Sequence, residues 1–427
     1  MCPLVTFVFQ IETTITLRQA IAKNVYLCPM KLIQHIKASN LLSFGPDGLD
    51  LELGSLNVLV GPNGSGKSNF LEIFSLLRAM PRSKEESNSS LQGVIRRGGG
   101  VQEWIWKGDS SGIASLEILI LYPTLKISVR HKIGFSVKMQ VFGLDYEMVD
   151  GIPNNDTAEP LVFYRATPFD VTIERSGKIQ SDEKDIELME HNQGFNSVLS
   201  LRRDPIVYPL LSKLARSYEK IRLYREWNFG RNTIFREPQR ADMRNDRLEE
   251  DFSNLGLYLN RLSKHPEAKR KLIIALRDLY EGLESYEVII EGGSVQVFFT
   301  EGNFSIPATR LSDGSLRYLC LLAMLLDPTP PALICIEEPE LGMHPDMLPK
   351  IADLLIEASE RTQLIVTTHS DILIDALSDR PECVLVCEKH AGQTSIKRLD
   401  AENLKPWLEQ YRLGQLWSMG EIGGNRW

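Results

Sequence analysis

Residues 56–69 read LNVLVGPNGSGKSN, and few folds can accommodate them. An apolar run (Val58, Leu59, Val60) meets Gly61, and the spacing Gly61-x-x-x-x-Gly66-Lys67-Ser68 follows before a helical pattern expected from Asn69. A buried strand, a glycine-rich turn and a helix start are the setting in which this spacing cradles phosphate. The glycines let backbone N–H groups curl around phosphate oxygens, and the helix dipole adds partial positive charge at the same point. Gly61, Pro62, Asn63, Gly64, Ser65, Gly66, Lys67, Ser68 and Asn69 are therefore the candidate residues for binding a nucleoside triphosphate, which the resemblance named below implies is ATP. Lys67 is expected to reach the β- and γ-phosphates and Ser68 to hold Mg2+.

Two later strands supply matching chemistry. LICIEE (residues 333–338) is an apolar run ending in two carboxylates. Beside a phosphate loop, Glu337 suits the Mg2+ shell and Glu338 suits orienting or deprotonating a water. LIVTTHS (364–370) is another buried run and ends in His369. Strand ends in such a sheet open onto the nucleotide crevice, where a histidine can bond the γ-phosphate.

The order of the phosphate loop, Leu311-Ser312-Asp313-Gly314-Ser315, Glu337-Glu338-Pro339-Glu340 and Thr368-His369-Ser370 resembles ABC-class ATPases of the RecF/SMC type. Stand-alone RecF-like AAA family ATPases are the nearest in pattern. The similarity runs from about Met30 to Trp427 and includes Tyr224-Arg225-Glu226-Trp227, Leu413-Gly414-Gln415-Leu416-Trp417 and Gly423-Gly424-Asn425-Arg426-Trp427. The resemblance implies a homodimer closed around ATP, in which Ser312, Asp313, Gly314 and Ser315 form a signature that clasps the γ-phosphate bound by the partner copy. It also implies that Gly342-Met343-His344-Pro345 crosses the dimer interface. Glu338 and His369 would be the catalytic pair, and hydrolysis is expected to be slow and partner-stimulated. Three departures stand out. Asp313 and Ser315 replace the usual Gly and Gln of the signature, Glu337 replaces the common Asp, and Gln193 is only a candidate for the Q-loop glutamine.

The fold class expected is α/β: a P-loop NTPase of the ABC-head type with an antiparallel β subdomain and a helical lobe. Residues 1–29 are read as an extension outside the core, 30–195 as the first part of the ATPase lobe, 196–283 as a basic helical lobe, and 284–427 as the part carrying signature, acids and histidine. Between residues 114 and 177 the segments LEILILY, LKISVRHKI, FSVKMQVFG, YEMVDG and LVFYRA read as successive antiparallel strands. Helices are expected over 209–220, 267–280, 314–326 and 345–361, with a long loop at 229–253.

Composition bears on partners. The net charge of −8 gives no overall nucleic-acid signature, yet residues 202–278 hold 18 Lys or Arg against 11 Asp or Glu. The densest run extends from Arg216 to Arg247, and within it Arg216, Lys220, Arg222, Arg225, Arg231, Arg236 and Arg240 are the candidate double-stranded DNA contacts. Six cysteines without paired spacing fit reduced thiols and a cytoplasmic setting. No apolar run reaches the roughly 18 residues of a membrane span. The expected role is an ATPase acting with DNA in repair, chromosome maintenance or phage defence. The alternative is a nucleotide-gated scaffold for a separately encoded effector nuclease, since only 58 residues follow His369. The ATPase subunit of an ABC transporter is disfavoured by the antiparallel strands after the phosphate loop.

Overall fold

The computed structural model describes residues 31–424, apart from 84–87, 109–111, 123–126, 139–140, 154–159, 168–169, 176–177, 181–195, 231–232 and 234–235. The extension at 1–29, the Q-loop candidate Gln193, Arg231 and the last three residues of the tail motif lie outside the described residues. The chain forms two compact units. One comprises Pro62–Ile221, Cys387–Lys397 and the described residues up to Gly54; the other comprises Ser55–Gly61, Arg222–Val386 and Arg398 onward. The helices of the stretch 196–283 are thus divided between the two.

The first unit is built on an eight-stranded antiparallel sheet. Its strands in chain order are β1 (Ile33–Ser39), β2 (Leu49–Glu52), β4 (Ala114–Tyr122), β5 (Ile127–Lys138), β6 (Val141–Pro153), β7 (Leu161–Thr167), β8 (Asp170–Arg175) and β9 (Lys178–Gln180). They lie in the order β2-β1-β4-β5-β6-β7-β8-β9. β4 alternates buried and half-buried residues along its whole length, as a strand with one covered face should. The segments LKISVRHKI, FSVKMQVFG and YEMVDG are not three strands but two, β5 and β6, of 12 and 13 residues. The pairing of the two strands shifts register between Gly134 and Phe135, and both continue through it.

Helix Pro209–Glu219 belongs to this unit and is joined to the sheet by a buried polar network. The ring of His131 lies 3.0 Å from the hydroxyl of Tyr218 through Nδ1 and 3.0 Å from Glu147 Oε1 through Nε2. Glu147 also accepts from Ser197 Oγ at 2.5 Å and from the Val198 N–H at 2.7 Å. A carboxylate can only accept, so Nε2 carries a proton toward it. Burial pushes the Tyr218 phenol well up, which keeps its proton available to Nδ1.

The second unit holds a sheet in which β10 (Ile221–Tyr224), β15 (Leu333–Glu337), β16 (Gln363–Thr368), β3 (Leu56–Val60) and the start of β17 (Val384–His390) lie in that order. β15, β16, β3 and β17 run parallel, with Glu337 opposite Thr367, Thr368 opposite Val60, and Val60 opposite Val386. Every residue of β3 and β16 is buried, which explains their unbroken apolar character. Helix Asp313–Leu325 is buried from Ser315 to its end and forms the centre of the apolar core with helices Leu255–Ser263 and Leu348–Ser359. A hairpin of β12 (Leu283–Glu291) and β13 (Ser294–Glu301) turns at Gly292-Gly293, and both β11 (Gln239–Arg240) and β14 (Phe304–Pro307) add to β13.

Several boundaries differ from the sequence reading. Helix Leu255–Ser263 and strand β14 were not expected. The expected helix at 345–361 begins only at Leu348, after a 3-10 turn opened by Pro345. Cys387 is buried in β17, whereas Cys383 sits in the turn just before it; among the described residues Cys320, Cys335, Cys383 and Cys387 are free thiols.

Candidate functional site

The phosphate loop leaves the buried end of β3 at Gly61 and closes on helix Lys67–Ala79, which starts two residues before the expected Asn69. Gly66 is the reason. It caps the helix at φ 104° and ψ 8°, a left-handed conformation, so the very next residue is helical. A Cβ on Gly66 would lie 2.2 Å from Thr394 Oγ1 and 2.9 Å from Ser43 Oγ, so a larger residue is excluded twice over. The Lys67 ammonium lies 3.1 Å from the Pro62 carbonyl, which holds the charge inside the curl of the loop.

Thr394 supports the loop from behind. Its hydroxyl is 2.9 Å from the Ser65 carbonyl and 2.8 Å from Ser43 Oγ. The carbonyl can only accept, so Thr394 donates to it and receives the proton of Ser43. Its backbone N–H also donates to the Ser43 carbonyl at 2.8 Å. Nothing local in QTSIKR marks Thr394 for this task, and sequence reasoning missed it.

The acids emerge at the ends of parallel strands. Glu337 closes β15. Its Oε2 accepts from Arg225 Nε at 2.8 Å, and its backbone carbonyl accepts from the Trp227 indole N–H at 2.6 Å. Glu338 follows at φ 46°, a left-handed conformation that a residue with a Cβ adopts at a cost of about 1 kcal/mol. Its N–H is held by the Thr367 carbonyl at 3.0 Å, and its Oε1 lies 3.4 Å from His369 Nε2. The structure thus brings together Glu338 and His369, two residues singled out from separate motifs. Glu340 was part of a motif but had no assigned role. It accepts from Thr368 Oγ1 at 2.7 Å and from the His369 N–H at 2.8 Å, which fixes the turn carrying the histidine. Burial raises the Glu340 carboxyl above the ordinary glutamate value, while these two donors pull the other way.

Ser312 caps helix Asp313–Leu325, its Oγ accepting from the Ser315 N–H at 3.1 Å. Ser315 Oγ is 2.7 Å from Ser312 Oγ and 3.0 Å from the Tyr280 hydroxyl. A Cβ on Gly314 would come within 2.8 Å of the Gly342 carbonyl, so glycine is what allows residues 314 and 342 to approach so closely. Asp313 pairs with Arg236, whose guanidinium also donates to the carbonyls of Thr309 and Leu311.

The candidate DNA contacts do not form one array. Arg216 and Lys220 are exposed in the first unit, while Arg222, Arg225, Arg236 and Arg240 belong to the second. Arg222 is buried, Arg225 and Arg236 are engaged with Glu337 and Asp313, and Arg240 pairs with Asp242 at the surface.

In the first unit the loop amides, the Lys67 ammonium and the Ser68 hydroxyl are groups that suit phosphate; in the second, Glu337 and Glu338 are carboxylates that suit a hard divalent cation. No group of three or more His, Cys, Asp or Glu able to hold a metal is found among the described residues.

Residues 56–375, well over half of the chain, match the family model described as "AAA domain, putative AbiEii toxin, Type IV TA system". No curated protein matches the sequence. Among solved structures, the chain is similar to an SMC head bound to the C-winged helix domain of ScpA, with TM-score 0.52 and 14% identity over 88% of this chain and 99% of that one. The SMC head domain from Thermotoga maritima gives TM-score 0.42 and 14% identity over 86% and 99% of the two chains. The Smc head with an extended coiled coil bound to the C-terminal domain of ScpA, from Pyrococcus furiosus, gives 0.45 and 13% over 89% and 99%. The first of these shows the fold to be that of a P-loop ATPase head of the ABC type.

The burial of Glu340 has a consequence for pH dependence. Its carboxyl is raised in the folded chain, so ionising it opposes folding, and the penalty appears as pH rises through the raised value. Glu340→Gln keeps an oxygen for Thr368 and His369 but carries no charge. Its denaturant midpoint is expected to exceed that of the wild type at pH 8, with the gap closing as pH falls below the ordinary glutamate value. Urea titrations across pH 4–8 would check this; a gap independent of pH would refute the burial argument.

Proposed function

The chain belongs to this AAA-domain family, a RecF/SMC-like group of P-loop ATPases, and from that premise we propose that it binds ATP with Mg2+, dimerises on it and hydrolyses it as a reset. The observation that carries the proposal is the register of the parallel strands. It brings the end of β3, where the phosphate loop departs, level with Thr368 and His369, and sets Glu337 and Glu338 at the end of the strand beyond.

In this reading the amides of residues 61–66 and the Lys67 ammonium hold the phosphates, while Ser68 and Glu337 provide oxygens for Mg2+. The bound cation would supply charge neutralisation for the phosphate oxygens. Glu338 orients the attacking water and accepts its proton, and His369, 3.4 Å from Glu338, restrains that carboxylate and senses the γ-phosphate. Ser312 and Gly314 open a 13-residue helix and present donors suited to an anion, so they would complete the site of a second copy. Glu338→Gln removes the base while keeping its shape. It is expected to accumulate an ATP-bound dimer of about twice the monomer mass in size-exclusion chromatography with light scattering. A monomer at saturating ATP would sink the dimer mechanism.

Contact with double-stranded DNA is proposed for Arg216 and Lys220, which are exposed, rather than for the arginines engaged with Glu337 and Asp313. Exchanging both for Ala should weaken DNA binding and flatten its dependence on salt, with a change in log–log slope of about 1–2. An unchanged slope would remove these residues from any DNA interface.

The family description, with its toxin–antitoxin wording, favours a second reading: a nucleotide-gated regulator in antiviral defence that controls a separately encoded effector nuclease. Under it, an effector encoded beside this chain should co-purify with the wild type and be lost on Lys67→Ala. Retention by Lys67→Ala would count against nucleotide gating.

A further inference from the structure

The segment Tyr224–Phe229 joins two motifs that the proposed function treats separately. Arg225 and Trp227, two residues apart, grip the same acid: Arg225 takes Oε2 of Glu337 and Trp227 takes its backbone carbonyl. The other side of the segment faces helix Asp313–Leu325. The guanidinium of Arg317 lies 5.1 Å from the Trp227 ring centroid and 5.3 Å from that of Phe229, and Arg317 Nη2 donates to the Trp227 carbonyl at 3.3 Å. Trp227 and Phe229 stack with centroids 6.3 Å apart, and Trp227 also stacks on Phe252 at 5.3 Å. The indole is thus a rigid block between the acid and the helix that Ser312 caps.

We propose that Arg225 and a divalent cation are alternative partners of Glu337, so that loading the cation releases Arg225 and loosens the clamp that Tyr224–Phe229 places on the signature helix. The proposal rests on the reading of the site as one for ATP and Mg2+. The side chain of Glu337 is 19% exposed and that of Arg225 is 26% exposed, so their charge-assisted bond is only partly screened by water. A guanidinium within bonding distance of Oε2 repels a divalent cation approaching the same carboxylate, and one negative charge cannot neutralise both. Arg225 therefore sets the cation concentration at which Glu337 changes partner. Trp227 shares that acid and the stack with Arg317, so it registers the exchange.

The test is a Mg2+ titration at saturating fluorescent ATP analogue, with the full-length chain and its Arg225→Ala, Arg225→Gln and Arg225→Lys forms. Arg225→Ala removes this guanidinium from Glu337 Oε2 and should lower the half-saturating Mg2+ about tenfold, the scale of one charge-assisted hydrogen bond. Arg225→Gln should shift the same way and serves if the Ala form does not fold, while Arg225→Lys keeps the charge and should stay near the wild type. Tryptophan emission should change with Mg2+ at the same midpoint and lose that change in Trp227→Phe. An unchanged or higher Mg2+ requirement in both uncharged forms would overturn the competition, even though the chain binds nucleotide. A wild type that binds no nucleotide at any Mg2+ would instead overturn the reading of the site, and this inference with it.

Discussion

Parallel pairing of β15, β16 and β3 is the constraint on which the rest depends. All three strands are buried almost throughout, so their backbone groups must be satisfied by one another, and a slip of one residue would turn every side chain to the opposite face. A buried amide helps to lock the register. Asn57, fully buried in β3, donates to the Leu364 carbonyl at 3.1 Å, and its oxygen accepts from Arg398 at 2.8 Å. An apolar residue at 57 would pack, but it would leave that carbonyl and that guanidinium without these partners. Because register and direction are fixed, all the chemistry appears at one end of the sheet.

That chemistry was legible because it is local. A phosphate loop, an acid pair after an apolar strand and a histidine after another are contiguous patterns, and each buried strand shows as an uninterrupted apolar run. Glu338 and His369 belong to separate motifs, but parallel pairing of their strands makes their encounter a matter of geometry. Partners distant in sequence were not legible. Thr394 is 328 residues from Gly66 and sits in a polar strand with no distinguishing feature. The arginine run shows the limit most clearly. Counting charges located a basic stretch, but a count cannot tell an arginine facing solvent from one committed to an acid more than 100 residues away, as Arg225 is. The two long strands were misjudged for a related reason: a bulge and a turn can leave the same interruption in an alternating pattern.

Strain and tight fit gather where chemistry is expected. Glu338 holds a left-handed backbone, Gly66 has no room for a methyl group, and Gly314 tolerates the Gly342 carbonyl only for want of a side chain. None of these would persist unless the surrounding packing held it in place. At Gly66 that support comes from Thr394 and Ser43, and at Glu338 from the Thr367 carbonyl and the histidine turn that Glu340 holds.

Gly424, the last described residue of the tail motif, lies beside the start of the phosphate loop. The Trp417 indole donates to the Gly424 carbonyl at 3.1 Å, and a methyl group on Gly424 would lie 3.6 Å from the Gly61 Cα. Three residues of chain span at most about 10 Å. Whatever is fused after Trp427, whether an affinity handle, a fluorophore or a surface linker, is therefore tethered by no more than that length of chain to Gly424, which lies beside the first glycine of the phosphate loop. A dye there becomes a reporter of the loop, and a bulky handle there becomes an unintended perturbation of it.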